Sequence, residues 1–287
     1  MRENYIKGSD NVCGVIGDPI AHTLSPLIHN TLSEKLGQRA VYVPFCVTKE
    51  NLKTAVSGAH ALGIKGLNVT MPHKQEMFKY VIEVSKEANT VGAINTLVYT
   101  NEGYIGHNTD AEGLALSLKE KGIEWTGKKV VIIGSGGAAY AAYTAVADTC
   151  ESICIVNRTK EKAEALKTHM TNYYNIPTFV YEDAEDLELE AYMVIQTTGL
   201  GMGGLKGQMP KCSEKLLKTA EVAVDLIYEP WETKFLETAR KEGCITVNGF
   251  GMLYYQAVIA YELMHHMSCD KEAVLQIKQE LLKDREQ

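Results

Sequence analysis

Short apolar runs alternate along the chain with longer segments in which apolar residues recur every three or four positions, and Gly, Asp or Asn mark the joints. The first series reads as strand at VCGVIG (12–17), helix from Ser25 to about Leu36, strand at AVYVPFC (40–46), helix over 49–62 and strand at KGLNV (65–69). A helical stretch near 73–84 follows, then strands AINTLVYT (93–100) and EGYIGHN (102–108), parted by the turn Asn101-Glu102-Gly103. A helix near 110–121 stops at Lys121-Gly122. The second series contains KKVVIIG (128–134), a helix over 137–148, SICIVN (152–157), a helix over 159–173, FVY near 180, AYMVIQ (191–196) and EVAVDLI (221–227). Glycines crowd 199–210, which reads as loop. After ITV (245–247) come two helices, over about 250–266 and 270–284. Strands that alternate with helices predict an α/β fold with mostly parallel sheets covered on both faces. One domain lies before about residue 109 and a second runs from there to about 248; the pattern leaves open which of them the last helices cover.

Composition narrows the class. At ~150 residues per domain, 287 residues fit two domains. With 45% hydrophobic and 23% charged residues the chain is neither disordered nor fibrous. A net charge of -7 gives no electrostatic reason to bind nucleic acid. The apolar runs fall far short of the ~20 residues of a membrane span. The opening MRENYIKGSDN has no apolar core of a signal peptide, so a cytoplasmic protein is expected. Its seven cysteines form no CxxC pair and read as reduced, buried thiols. No HExxH or Cys/His cluster occurs, and no metal is expected.

The strongest local signal is VVIIGSGGAA (130–139). A buried strand runs into Gly134, Ser135, Gly136, Gly137, Ala138 and Ala139, which fits G-x-G-x-x-A, and a helix follows. The first glycine permits the tight turn and the second lets the backbone approach a pyrophosphate. The small third residue lets helix pack on strand, and the phosphates meet the helix N-terminus. An Asp or Glu at the end of the next strand would hold a ribose 2′-OH and favour NAD. Here that position carries Asn157, Arg158, Thr159 and Lys160. No carboxylate there repels a 2′-phosphate and a guanidinium can bind one, so NADP is the expected cofactor.

Three segments of the first domain are more polar than a plain scaffold requires. In GDPIAHTLSP, Thr23 and Ser25 precede a helix with Pro26 in its first turn and can aim two hydroxyls at a carboxylate, although Ser25 alone is as readily an N-cap. In GLNVTMPHK, Asn68 and Thr70 share a strand face and Lys74 follows within one turn, although Lys74 alone is as readily a solvated surface lysine. The third segment pairs GAINT, with Asn95, and GHNTD, in which Asp110 opens the next helix. Hydride arriving at a ketone leaves negative charge on oxygen, which a lysine ammonium can meet while a carboxylate orients it. The absence of Y-x-x-x-K removes the Tyr–Lys pair of short-chain dehydrogenases. His22, His29 and His73, single histidines beside turns, are weaker candidates for a base.

PIAHTLSP, NVTMPHK, GAINT, HNTD, GSGGAA, NRT, TTGLGM and NGFGMLYYQA, in this order and spacing over about residues 12–265, resemble the shikimate dehydrogenases. The resemblance implies an N-terminal α/β substrate domain (1–109, completed by 249–287), a Rossmann-type NADP-binding domain (110–248) and a cleft between them. It implies reversible NADPH-dependent reduction of 3-dehydroshikimate to shikimate, by a monomer or homodimer. Matching positions make Lys74 and Asp110 the catalytic pair, and place Thr23, Ser25, Asn68, Thr70, Asn95, Tyr228 and Gln256 around the substrate. Leu226 and Gly249 would touch the nicotinamide end. Thr23 stands where Ser is commoner, Gln196 where Asn is usual and Phe250 where Leu is frequent. Thr23 borders C1 of the ring, where quinate carries an extra hydroxyl, and its methyl is expected to favour shikimate. The alternatives are a quinate/shikimate dehydrogenase of broader cofactor use and a non-catalytic regulatory relative; retention of both Lys74 and Asp110 argues against the second.

Overall fold

The computed structural model describes residues 6–182 and 190–286. The chain folds into two compact units, Met1–Thr109 with Gln256–Gln287, and Asp110–Tyr255. The chain passes back into the first unit at 255/256, inside the first of the two last helices, rather than at 248/249.

In the first unit, β1 (Asn11–Gly17), α1 (Ser25–Lys35), β2 (Ala40–Cys46), α2 (Leu52–Ala61) and β3 (Gly66–Val69) form two crossovers. Helical crossovers return each strand parallel to its neighbour, so β2, β1 and β3 pair in parallel. Pro44 is tolerated because β2 is an edge strand. The stretch expected as helix over 73–84 is instead a 3-10 turn, Glu76–Tyr80, and a two-residue strand β4 (Glu83–Val84). A short helix α3 (Lys86–Val91), capped by the Ser85 hydroxyl, follows where no element was expected. β5 (Thr96–Tyr99) and β6 (Tyr104–His107) are joined by a tight turn, which forces them antiparallel, and β5 is also antiparallel to β3. This sheet, in the order β2-β1-β3-β5-β6-β4, is therefore mixed rather than mostly parallel.

The second unit runs α4 (Asp110–Glu120), β7 (Lys129–Ile133), α5 (Gly137–Val146), β8 (Ser152–Asn157), α6 (Lys160–Met170), β9 (Thr178–Glu182), β10 (Met193–Gln196), α7 (Ser213–Leu217), β11 (Val222–Asp225), α8 (Lys234–Lys241) and β12 (Ile245–Val247). All its strand pairs are parallel, in the order β12-β11-β10-β7-β8-β9. β7 shows why both faces must be covered: Val130 and Ile132 pack with Leu114, Ala142 and Tyr143, while Val131 and Ile133 pack with Leu216 and Phe235.

The last helices, α9 (Phe250–His265) and α10 (Lys271–Glu286), bring the C-terminus back to the first sheet. Ala260 and Met264 pack on Cys13, Val15 and Tyr42, Tyr261 bonds Ser33 at 3.3 Å, and Lys35 pairs with Glu280. Of the cysteines, Cys13, Cys150, Cys212 and Cys244 are buried, Cys154 and Cys269 half-buried, and Cys46 is exposed, contrary to the expectation of buried thiols. No helix among the described residues is long and apolar enough to cross a membrane. α9 seats on Gly66, where a Cβ would run into the Met264 side chain. Gly66→Val is expected to lower Tm by roughly 3–10 °C, the range of ~1–3 kcal/mol of overpacking. Adding Met264→Ala should restore part of the loss in thermal melts, because it vacates the colliding volume.

Candidate active site

The carboxyl ends of β1 and β3 lie side by side, with Val15 opposite Asn68 and Ile16 opposite Val69. The connection that leaves β1 runs to one side, to β2, and the one that leaves β3 runs to the other, toward β5 and β6, the arrangement at which open α/β sheets present a crevice. The predicted polar segments of this unit converge there. Asn68 Oδ1 accepts from the Tyr42 hydroxyl at 2.7 Å, and its Nδ2 donates to the Asn95 carbonyl at 3.2 Å and Thr96 Oγ1 at 3.1 Å. Thr96 donates to Asn95 Oδ1 at 2.9 Å. Asn95 in turn donates to Thr109 Oγ1 and accepts from the Thr109 N–H, each at 3.0 Å. Thr109 Oγ1 lies 3.5 Å from Gln256 Oε1. Thr23 donates to Ser25 Oγ at 3.2 Å, and Ser25 lies close to Tyr42, so the hydroxyl pair sits beside the same network.

Lys74 is placed by its backbone. Its carbonyl accepts from Ile94 N–H at 2.9 Å, one residue before Asn95. Upstream, Thr70 N–H donates to the Ile16 carbonyl at 3.0 Å, and the buried His73 imidazole is 2.6 Å from the Val47 carbonyl. His29 is also structural: it is buried and stacks on Tyr42 at 4.0 Å. Burial, with His265 nearby, pushes its pKa down to about 3, so it stays neutral and is no general base at neutral pH. His22 is exposed.

In the second unit the strand order reverses between β7 and β10, and a cavity of about 550 Å³ opens at their carboxyl ends. Gly134 makes the turn with φ +114°, which a side chain would strain, and a Cβ there would strike Thr197 Oγ1. Gly136 ends the turn as the N-cap of α5 with no side-chain cap, and a Cβ on it would meet nothing within 4 Å. Uncapped N–H groups beside open space fit the pyrophosphate of a dinucleotide. Ser135, Asn157, Arg158 and Thr159 also line the cavity, and Asn157 Nδ2 holds the turn by donating to the Thr159 carbonyl at 2.8 Å.

Beside this cavity a buried carboxylate joins three segments. Asp225, at the end of β11, accepts from Gln196 Nε2 at 3.2 Å, Ile227 N–H at 3.0 Å and Thr233 Oγ1 at 2.5 Å. Leu226 and half-buried Tyr228 flank Ile227. Gly249 packs so closely on the Leu226 carbonyl that no larger residue fits, and its N–H donates to the Ile227 carbonyl at 3.0 Å.

Known proteins match this chain in sequence and fold. Residues 15–97 match the family described as shikimate dehydrogenase substrate binding domain, and residues 115–226 match shikimate / quinate 5-dehydrogenase. A shikimate dehydrogenase (NADP(+)) of Caldanaerobacter subterraneus is 43% identical over 272 residues, 94% of this chain and 96% of its own. The chain belongs to the shikimate dehydrogenase family. Among solved members, shikimate 5-dehydrogenase of Listeria monocytogenes, in complex with shikimate and NAD, superposes with TM-score 0.87 at 34% identity, over 96% of this chain and 98% of that one. The Thermus thermophilus enzyme, in complex with NADP(H) and shikimate, gives a TM-score of 0.82 at 28% identity, over 94% of this chain and 99% of that one.

Of the residues that the resemblance to shikimate dehydrogenases singles out, Thr23, Ser25, Asn68, Asn95 and Gln256 come together in the first unit, with Thr70 and Lys74 on the adjoining turn. Asp110 follows Thr109 directly and is the first residue of α4, in the second unit with Tyr228. At the cavity one basic residue changes: Lys162 lines it and Lys160 does not. Lys160 and Lys162 lie two residues apart on α6, about 200° round the helix, so only one can face the cavity. Gly137 and Ala138, inside the first turn of α5, are likewise not in its lining, whereas Thr197, Thr198 and Leu200 are. Tyr42, Thr96 and Thr109 complete the first-unit network without having been singled out; Thr96 and Thr109 stand inside GAINT and HNTD, where the motifs already offered a signal.

Burial pushes the Asp225 carboxyl up to about 6, against the pull of its three hydrogen bonds. Relative to its ordinary value of 3.8, the folded chain then holds this proton more tightly than the unfolded chain. Stability from this group is therefore present below about pH 4 and lost as pH rises through about 6, by up to ~3 kcal/mol. In thermal melts, Tm of the wild type minus Tm of Asp225→Asn should fall between pH 4 and 7. A flat difference would contradict the burial argument.

Proposed function

We propose that this protein catalyses the reversible NADPH-dependent reduction of 3-dehydroshikimate to shikimate, in the cytoplasm. The observation that carries this reading is the first-unit network, in which two hydroxyls, three amides and a lysine turn gather where an α/β sheet leaves a crevice. In the same chain, the cavity of the second unit fits a dinucleotide. A ring bearing a carboxylate and several hydroxyls needs that density of donors and acceptors, and a buried polar group without a partner would cost ~1–3 kcal/mol.

Thr23 and Ser25 bind the carboxylate, with the methyl of Thr23 limiting room beside C1. Asn68, Thr70, Asn95, Tyr228 and Gln256 hold the ring hydroxyls. Lys74 places a cation and a proton at the ketone oxygen, where negative charge develops during reduction, and Asp110 orients the ammonium and accepts from the neighbouring hydroxyl. When bound, NADPH supplies the hydride. Gly134, Ser135 and Gly136 leave room for its pyrophosphate, and Leu226 and Gly249 flank its nicotinamide end. Arg158 and Lys162 bear the charge that suits a 2′-phosphate, with no acidic side chain between Asn157 and Lys160 to oppose them.

The direct assay crosses shikimate and quinate with NADP and NAD and follows absorbance of the reduced nicotinamide; shikimate with NADP should give the highest kcat/KM. A higher kcat/KM for quinate with NAD would move the protein to the broader-specificity reading. Lys74→Ala should lower kcat at least ~100-fold with NADP affinity retained, and a variant keeping most of its kcat would remove Lys74 from the chemistry. Arg158→Ala should raise KM for NADP about 10-fold or more and leave KM for NAD within about 2-fold, as expected for one charge-assisted bond to the 2′-phosphate. Equal losses for both cofactors would reduce Arg158 to stacking on adenine.

A further inference from the structure

Asp225 and Gln196 are both 0% exposed, and the chemistry above uses neither. Burying a carboxylate costs free energy that an apolar side chain at a strand end would not incur, and the groups that hold this one are an amide, a backbone N–H and a hydroxyl, none of them charged. What a carboxylate offers there is several acceptor directions at one point. Two loops use them. On one side Gln196 spends its remaining polar capacity on the loop after β10: its Nε2 also donates to the Leu200 carbonyl at 3.0 Å, and its Oε1 accepts from the Thr198 N–H. Thr197, Thr198, Gly199 and Leu200 are a wall of the dinucleotide cavity. On the other side Asp225 fixes Ile227 N–H, between Leu226 and Tyr228, and reaches across the loop to Thr233, whose hydroxyl caps α8 by accepting from Leu236 N–H at 3.3 Å. The loops also touch directly, since a Cβ on Gly201 would meet Thr233 Cγ2 at 3.3 Å.

We infer that Asp225 and Gln196 are positioning residues for the reaction: a buried brace that locks the cavity wall 197–200 to the segment Leu226–Tyr228, and so sets where the nicotinamide end and the Tyr228 hydroxyl come to lie. The inference rests on the proposed roles of Leu226 and Tyr228. It accounts for a side-chain amide at 196, since Nε2 reaches Asp225 on one side while Nε2 and Oε1 together hold Leu200 and Thr198 on the other. The adenosine end of the cavity, at Arg158 and Lys162, lies outside its reach.

The test compares two nucleotides. Adenosine 2′,5′-bisphosphate occupies only the adenosine end, whereas NADPH spans both ends. In Asp225→Ala, 2′,5′-bisphosphate affinity should stay within about 2-fold of wild type, while the ratio of NADPH to 2′,5′-bisphosphate affinity falls at least 5-fold. Shikimate oxidation should lose at least 10-fold in kcat. Asp225→Asn, which keeps one acceptor oxygen for Gln196 and Ile227, should recover most of each loss. Gln196→Met keeps the volume and removes the bonds that join the cavity wall to Asp225, leaving those of Asp225 to Ile227 and Thr233 in place; it should reproduce both effects, and it decides the matter if Asp225→Ala does not fold. NADPH affinity and kcat within 2-fold of wild type in Gln196→Met would overturn the brace, as would parallel losses for both nucleotides. A wild type that binds NADPH without oxidising shikimate would instead fail the functional reading, and the affinity ratio would still decide the brace.

Discussion

A buried side-chain amide must have every polar atom met, and in the first unit Asn95 achieves this by holding Thr96 and Thr109 together while its own carbonyl receives Asn68. That requirement ties the end of β3, the start of β5 and the exit of β6 to one point. It also fixes the residue before Asp110 and brings Gln256 of α9 to the same place. Tyr42 joins the network through Asn68 and lies flat against a neutral His29. Asn68, Asn95 and Gln256, three of the first unit's groups proposed to meet substrate, are therefore fixed through one another before any ligand arrives.

The second unit follows the same logic with different parts. Its cavity owes its shape to what is missing, a side chain at Gly134 and at Gly136, and its walls to a carboxylate and an amide that are not in the cavity lining. In both units many of the residues that would touch a ligand stand in motifs legible in the sequence. The residues that hold them lie on other strands and are buried, where a misfit of one hydrogen bond costs more than at the surface.

Elements with a strong, continuous pattern could be read from the sequence. β7, α5, β8 and α6 emerged with nearly their observed ends because a five-residue apolar strand and an Ala-rich helix have one plausible reading each. α3 and α8 did not, since six- and eight-residue helices offer too few turns to display a period, and KFLETARK is largely polar. β5, β6 and the turn between them were legible, but the alternation of strands with helices around them pointed to a mostly parallel sheet and hid its mixed character. Site residues were legible where a motif carried them. Tyr42, Asp225 and the choice of Lys162 over Lys160 were not, because each depends on a partner or a helix face that only the folded chain supplies.

The central claim is that the network around Asn95 is the substrate site. Amide hydrogen exchange of the protein with and without shikimate tests it most directly. Shikimate should slow exchange in segments 22–25, 67–70 and 93–96, and at 107–110 where Thr109 closes the network. Protection absent from these four segments, with or without protection in the second unit, would contradict the account.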